Sequence, residues 1–225
     1  MTKPGTHTAR QSRGIKLTVL ALAVFIAIIL AGFIHRIQMP RILTTEEMKI
    51  NGLYLLKTPR NFGEINLVDH HGAAFTNARL QGKWTLVFFG FTYCPDVCPT
   101  TMSFLNGLMG QLEGTEAGDT QVVMVTVDPA RDTVEQLAGY VPYFNPAFIG
   151  VTGEFLDIHR FATALNTPFR KVVGEGDNYQ VDHSANVVLI NPRGDYHGFF
   201  KAPLDMAKMK LTYRSARAMW DLQQD

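Results

Sequence analysis

Residues 17–34 read LTVLALAVFIAIILAGFI, eighteen positions without a charge, and no other feature limits what the chain can become so strongly. Coiled as a helix at ~1.5 Å per residue, the run is ~27 Å long, close to the hydrocarbon thickness of a bilayer. Lys3, Arg10, Arg13 and Lys16 precede it without an acid, whereas only Arg36 and Arg41 follow before Glu46 and Glu47. Basic flanks stay cytoplasmic, so the pattern predicts a cytoplasmic tail over 1–16, a membrane anchor over 17–34 and an exported remainder. A cleaved signal peptide carries a shorter apolar core and ends on small residues of A-x-A type. Here Leu30-Ala31-Gly32 runs into Phe33, which supplies neither that site nor the cysteine of a lipidated signal. A mitochondrial presequence fits less well, because only sixteen residues precede the run. The formal net charge of +1 divides into +4 on the tail and −3 on residues 35–225, which leaves no electrostatic footprint for nucleic acid.

Residues 35–60 mix charges, contain Pro40 and Pro59 and lack sustained periodicity, so they read as a linker to a domain over 61–225. Within that domain, strand and helix patterns alternate. Residues 84–91 (WTLVFFGF) form a continuous apolar run suited to a strand buried on both faces. Residues 100–112 carry Met102, Leu105, Met109 and Leu112 at helical spacing, and 121–127 (QVVMVTV) form a second β-branched run. Thr133 with Gln136 makes a capping box for a helix over 133–141. A short strand at 148–151, a helix at 155–164, a hairpin of 186–190 with 196–200 around Asn191-Pro192-Arg193-Gly194, and a helix at 205–222 complete the reading. This is the α/β order of a thioredoxin-like fold.

The two cysteines stand in Cys94-Pro95-Asp96-Val97-Cys98-Pro99, where the first buried strand gives way to a helix. Strand ends in open α/β sheets are where ligands bind, and a helix N-terminus favours the thiolate. Three chemistries fit the pair. A structural disulfide is permitted outside the cytoplasm, but so short a loop contributes only roughly 2 kcal/mol. A thiol–disulfide exchanger more often has C-x-x-C spacing than this C-x-x-x-C. A soft-metal site would use two thiolates, with a preference for Cu(I), and leave room for a third ligand.

Histidine is the obvious third donor, and the chain has seven. His7 falls on the tail and His35 beside the membrane. His159 lies in a helix, His197 on the second hairpin strand, and the adjacent His70 and His71 in a turn where their imidazoles are expected to point apart. His183 differs, because it precedes the strand at 186–190 in a loop that a thioredoxin-like sheet brings toward the cysteines. Asp128-Pro129-Ala130-Arg131-Asp132 follows the second buried strand and reads as a turn and helix start, or as a polar rim near the site that docks a partner.

Together these blocks resemble the Sco/SenC family of copper-binding assembly factors for cytochrome c oxidase. The resemblance covers residues from about 61 to 204. It rests on Asn61-Phe62, Asp69, Gly72, Phe75, the Cys94 to Pro99 loop, Asp128-Pro129-x-Arg131-Asp132-Thr133, Phe148-Ile149-Gly150-x-Thr152-Gly153 and Val181-Asp182-His183-Ser184-Ala185. It implies a thioredoxin-like domain that binds one copper through Cys94, Cys98 and His183 and helps to build the binuclear copper centre of an oxidase subunit. Two thiolates and an imidazole suit three-coordinate Cu(I), and Cu(II) would want a further nitrogen or oxygen ligand. Asp182 is expected to tune His183 from behind, although neighbours in a strand point oppositely. His70 and His71 stay unassigned.

The expected protein is thus a carrier rather than an enzyme, single-pass in a bacterial inner membrane with its domain in the periplasm. Its implied partners are the copper-binding oxidase subunit and, beside it, other periplasmic copper chaperones or thiol reductases. The alternative is a thiol–disulfide oxidoreductase that keeps the oxidase subunit's metal-binding cysteines reduced, with Cys94 and Cys98 redox-active. A peroxide-handling thiol enzyme suits the fold but has no dedicated motif.

Overall fold

The computed structural model describes residues 7–38, 42–172 and 179–224. Lys3, Pro40 and Arg41 lie outside the described residues, as do the side chains of His7, Arg10, Arg13, His35 and Arg36. Two compact units result, Met1–Ile42 and Leu43–Asp225. The first contains helix α1 (His7–Gln38), whose stretch Ile15–Ile34 is long and apolar enough to cross a membrane.

The second unit begins earlier than the sequence suggests. Helix α2 (Thr45–Ile50) starts on a full capping box between Thr44 and Glu47, and strand β1 (Leu53–Arg60) follows it. Both fall inside the stretch expected to be a linker. Leu43 and Met48 are buried, and the Leu43 amide donates to Ser215 Oγ at 3.1 Å. The linker reading failed because β1 is an edge strand, half-buried and carrying Lys57 and Pro59, whose partner lies some 140 positions later in the chain.

Strands β2 (Leu67–Asp69) and β3 (Ala74–Phe75) come next, then a 3-10 turn at Asn77–Leu80 and strand β4 (Trp84–Gly90). Helix α3 (Val97–Met109), strand β5 (Thr120–Thr126), helix α5 (Val134–Phe144), strand β6 (Ile149–Thr152) and helix α6 (Phe155–Ala164) alternate as expected, with the short α4 (Thr115–Gly118), which the sequence reading did not include, before β5. The hairpin β7 (Arg170–Val172) with β8 (Gln180–Asp182) precedes β9 (Val187–Ile190), β10 (Tyr196–Phe200) and helix α7 (Met206–Gln224).

Eight strands form one sheet in the order β1-β10-β9-β4-β5-β6-β2-β3. Its centre, β4, β5 and β6, is parallel, and β9 joins β4 in antiparallel register with Phe88 opposite Val187. Every residue of β4, β5 and β9 is buried, which explains their unbroken apolar runs. The β9–β10 turn closes on a Gly194 amide bonded to the Asn191 carbonyl, with Gly194 at φ +82°, a left-handed conformation that glycine adopts without strain. This is the α/β arrangement of a thioredoxin-like domain.

The sheet has two chemically different ends. At the start of β4, Trp84 packs edge-on against His197, Tyr213 and Trp220, which locks α7 onto the sheet. At the other end β4 stops at Gly90, β5 stops at Thr126, and β9 begins at Val187, so three loops converge there.

Candidate metal centre

Gly90, the last residue of β4, stands where there is no room for a side chain. A Cβ there would lie 2.7 Å from the Phe88 ring and 2.9 Å from Cys98 Sγ. The chain then turns, with the Cys94 amide donating to the Phe91 carbonyl at 3.2 Å. Helix α3 starts at Val97, earlier than its apolar periodicity indicates, and Cys98 lies in its first turn. Pro99 there forgoes an amide that a helix start leaves unpaired in any case.

A buried carboxylate holds this loop from beneath. Asp132 accepts from the Thr92 amide at 3.0 Å, the Thr92 hydroxyl at 2.6 Å and the Thr126 hydroxyl at 2.6 Å. The sequence marked this residue as part of a turn and helix start or of a polar rim near the site, not as the anchor of the cysteine loop. Thr133 does cap α5, accepting from the Gln136 amide, but the Gln136 side chain donates to Thr92 Oγ1 instead of closing the expected box.

His183 arrives from the loop between β8 and β9. Its Nε2 lies 3.5 Å from Cys98 Sγ, its Nδ1 lies 3.2 Å from the Ser184 carbonyl, and its ring packs edge-on against Phe88 and Phe91. The donor atoms of Cys94, Cys98 and His183 all lie within 4.8 Å of one another. A trigonal ion with bonds of about 2.0–2.3 Å spaces its ligands roughly 3.5–4 Å apart, so a small inward adjustment suffices. The donor set of two sulfurs and one imidazole nitrogen fits a soft ion.

The two thiols are free and unequal. Cys98 is fully buried and Cys94 half-buried. The Cys98 thiol hydrogen-bonds to Cys94 and draws its pKa down to about 4; burial opposes this, and the amides of Asp96 and Cys98 and the His183 ring add to it. That same bond to Cys94, reinforced by burial, pushes the Cys98 thiol up. Both effects favour the thiolate at the outer sulfur over the inner one.

The remaining candidates fall elsewhere. Asp182 pairs with Arg170 at 3.2 Å on the exposed face of the hairpin. His70 and His71 do not point apart: their rings lie 4.0 Å between centroids. His70 Nδ1 accepts from the Gly150 amide at 2.9 Å, so its one lone pair is used and its buried Nε2 carries the proton. His159 lies between Phe155 and Phe169. His197 is buried among Trp84 and Trp220 at the far end of the sheet, with its Nδ1 3.5 Å from Asn191 Nδ2 across the hairpin.

The family model described as SCO1/SenC matches residues 57–216. The chain belongs to the SCO1/SenC family. Among its relatives in that family, a Stutzerimonas stutzeri protein named for copper binding is 41% identical over 152 residues, 68% of this chain and 74% of that one. The human mitochondrial protein SCO2 homolog is 39% identical over 142 residues, and the match spans about half of its length, 53%, and 60% of this chain. The structure of Arabidopsis thaliana ScoI with copper bound is similar at a TM-score of 0.63 and 33% identity, covering 71% of this chain and 98% of that one.

Proposed function

We propose that this SCO1/SenC member is a membrane-anchored copper carrier that binds one copper ion through Cys94, Cys98 and His183 and delivers it to the binuclear centre of cytochrome c oxidase. The observation that carries this reading is the convergence of three donor atoms within 4.8 Å at the converging end of the sheet. Copper is the cargo, and two thiolates with an imidazole hold Cu(I) by their softness. The copper-bound Arabidopsis relative supports the choice of ion, and the family's description as cytochrome c oxidase assembly proteins supports the destination. The anchor is α1, with its basic tail in the cytoplasm and the domain in the periplasm of a bacterial inner membrane. The receiving partner is the oxidase subunit that bears the copper-binding cysteines.

The test is copper loading of the full chain in detergent, under reducing and oxidising conditions, beside His183→Ala. One copper per chain, bound more weakly in the variant, is the expected result. Full affinity with an unchanged spectrum in His183→Ala would end the three-ligand reading.

The unequal thiols favour a second role in the same protein. Cys94, ionised and partly exposed, would attack a partner disulfide, forming a mixed disulfide and releasing one partner thiolate. The Cys98 sulfur, on losing its proton, would displace the second partner thiol, leaving Cys94 and Cys98 oxidised and the partner reduced by two electrons. Trapping of a mixed disulfide through Cys94 by Cys98→Ser is the expected sign of this activity.

A further inference from the structure

His183 is held unequally from its two sides. After it, the Asn186 amide donates to Ser184 Oγ at 3.1 Å, Asn186 Oδ1 accepts from the Ala202 amide at 2.9 Å, and β9 enters the centre of the main sheet. Before it, β8 pairs only with β7 among the described residues, and this hairpin is separate from the eight-stranded sheet.

What ties the hairpin to the cysteine side is a compact polar cluster. The Tyr179 hydroxyl donates to Asp128 Oδ1 at 2.6 Å, and Arg131 donates to the other oxygen of the same carboxylate. Arg131 Nη2 also donates to the Tyr179 carbonyl at 3.1 Å, while its guanidinium lies 3.7 Å from the Tyr179 ring centroid. That same guanidinium lies 4.9 Å from the Tyr93 ring, next to Cys94, and 5.8 Å from Phe91. Lys171 of β7 is 3.4 Å from the Tyr179 ring, so both strands of the hairpin are gathered. Tyr179 and Asp128 are buried, at 6% and 4% exposure, so the bond between them is not shared with solvent. Only the short strand β8 separates Tyr179 from His183.

We propose that Asp128, Arg131 and Tyr179 form a latch that positions His183 against the two cysteines and sets how tightly the ion is held, although none of the three is a ligand. The inference rests on the copper-carrier reading above and assigns the third ligand its positioning residues. Arginine is required because a planar fork can meet a carboxylate and stack on rings at once, which lysine cannot do.

The test is a double-mutant cycle on the full chain in detergent, with Cu(I) affinity read by competition against a chromophoric chelator. Tyr179→Phe removes a single buried hydrogen bond to a charged acceptor and should weaken binding about tenfold when His183 is present. Combined with His183→Ala, it should add less than about twofold, because the latch acts only through that imidazole. The nitrogen hyperfine pattern of the Cu(II)-loaded protein should change in Tyr179→Phe, a readout that a general loss of stability would not move. Arg131→Lys should reproduce the same pattern and decides the matter should Tyr179→Phe fail to fold. No loss of affinity in either variant, or equal losses with and without His183, would overturn the latch. Should His183→Ala weaken binding while neither latch variant does, only the latch fails; should His183→Ala itself cost nothing, the ligand set fails and the latch with it.

Discussion

Replacing Gly90 by alanine delivers a methyl group directly to the inner sulfur. The new carbon would stand 2.9 Å from Cys98 Sγ and 2.7 Å from the Phe88 ring, whereas ordinary contact begins at 3.4 Å. Both the sulfur and the ring must therefore yield, by about 0.5 and 0.7 Å, and both belong to fully buried side chains. Overpacking of this kind costs about 1–3 kcal/mol, which for a domain of this size lowers the melting temperature by about 2–12 °C. The same displacement moves a candidate ligand, so copper binding should weaken, about tenfold for each 1.4 kcal/mol needed to bring Cys98 back to the ion. Thermal unfolding of the metal-free protein and chelator competition for Cu(I) measure the two effects separately. Gly139→Ala is the control: nothing lies within 4 Å of a Cβ there, and on the exposed face of α5 the change should stabilise by about 0.5–1 kcal/mol. If Gly90→Ala behaved like Gly139→Ala in both assays, the close approach of β4 to Cys98 would be refuted.

The thiol pair and the buried imidazole give two pH signatures. With the Cys94 pKa drawn down to about 4, its alkylation by iodoacetamide in the metal-free protein should be nearly independent of pH from 5.5 to 8, where an ordinary thiol gains about tenfold per unit. Cys98→Ala removes the main cause of that depression and should restore the steep profile. Burial, aided by Arg193 and opposed by Asp195, lowers His197 from 6.5 to about 4. The unfolded chain thus takes up a proton that the folded one refuses. The contribution is complete above about pH 6.5 and is lost as pH falls toward 4, on the order of 3 kcal/mol in all. Denaturant midpoints across that window should show the decline, and His197→Phe should flatten it.

Legibility followed burial. β4, β5 and β9 are buried on both faces, so their apolar runs declare them without reference to any neighbour. The hairpin β7–β8 has Arg170, Lys171 and Val172 all exposed on one strand and is invisible to such a reading. β1 was missed for the same reason, its pairing with β10 being written nowhere near it in the chain. At the site, strand ends put the cysteines and His183 within reach of one another, and the family resemblance singled out His183 as the third donor. The sequence marked 128–132 as a turn or a polar rim near the site, but the partners of Asp132 and Tyr179 were not legible, because their hydrogen bonds span 40 and 51 positions and leave no local pattern. The histidine pair at 70 and 71 shows the converse, since alternation alone puts their rings apart and the tight turn through Gly72 brings them together.

The two sulfurs are four positions apart, whereas His183 lies 85 positions from Cys98. An unfolded chain therefore keeps the sulfurs as a local chelate but loses the imidazole altogether. On the copper-carrier reading, whatever affinity the third bond adds exists only in the native state, and each tenfold of it returns about 1.4 kcal/mol to folding. If copper is held in this way, it would act as proofreader of its own container: in competition between copies it would drain from misassembled chains, which offer two sulfurs, to correctly assembled ones, which offer a third donor.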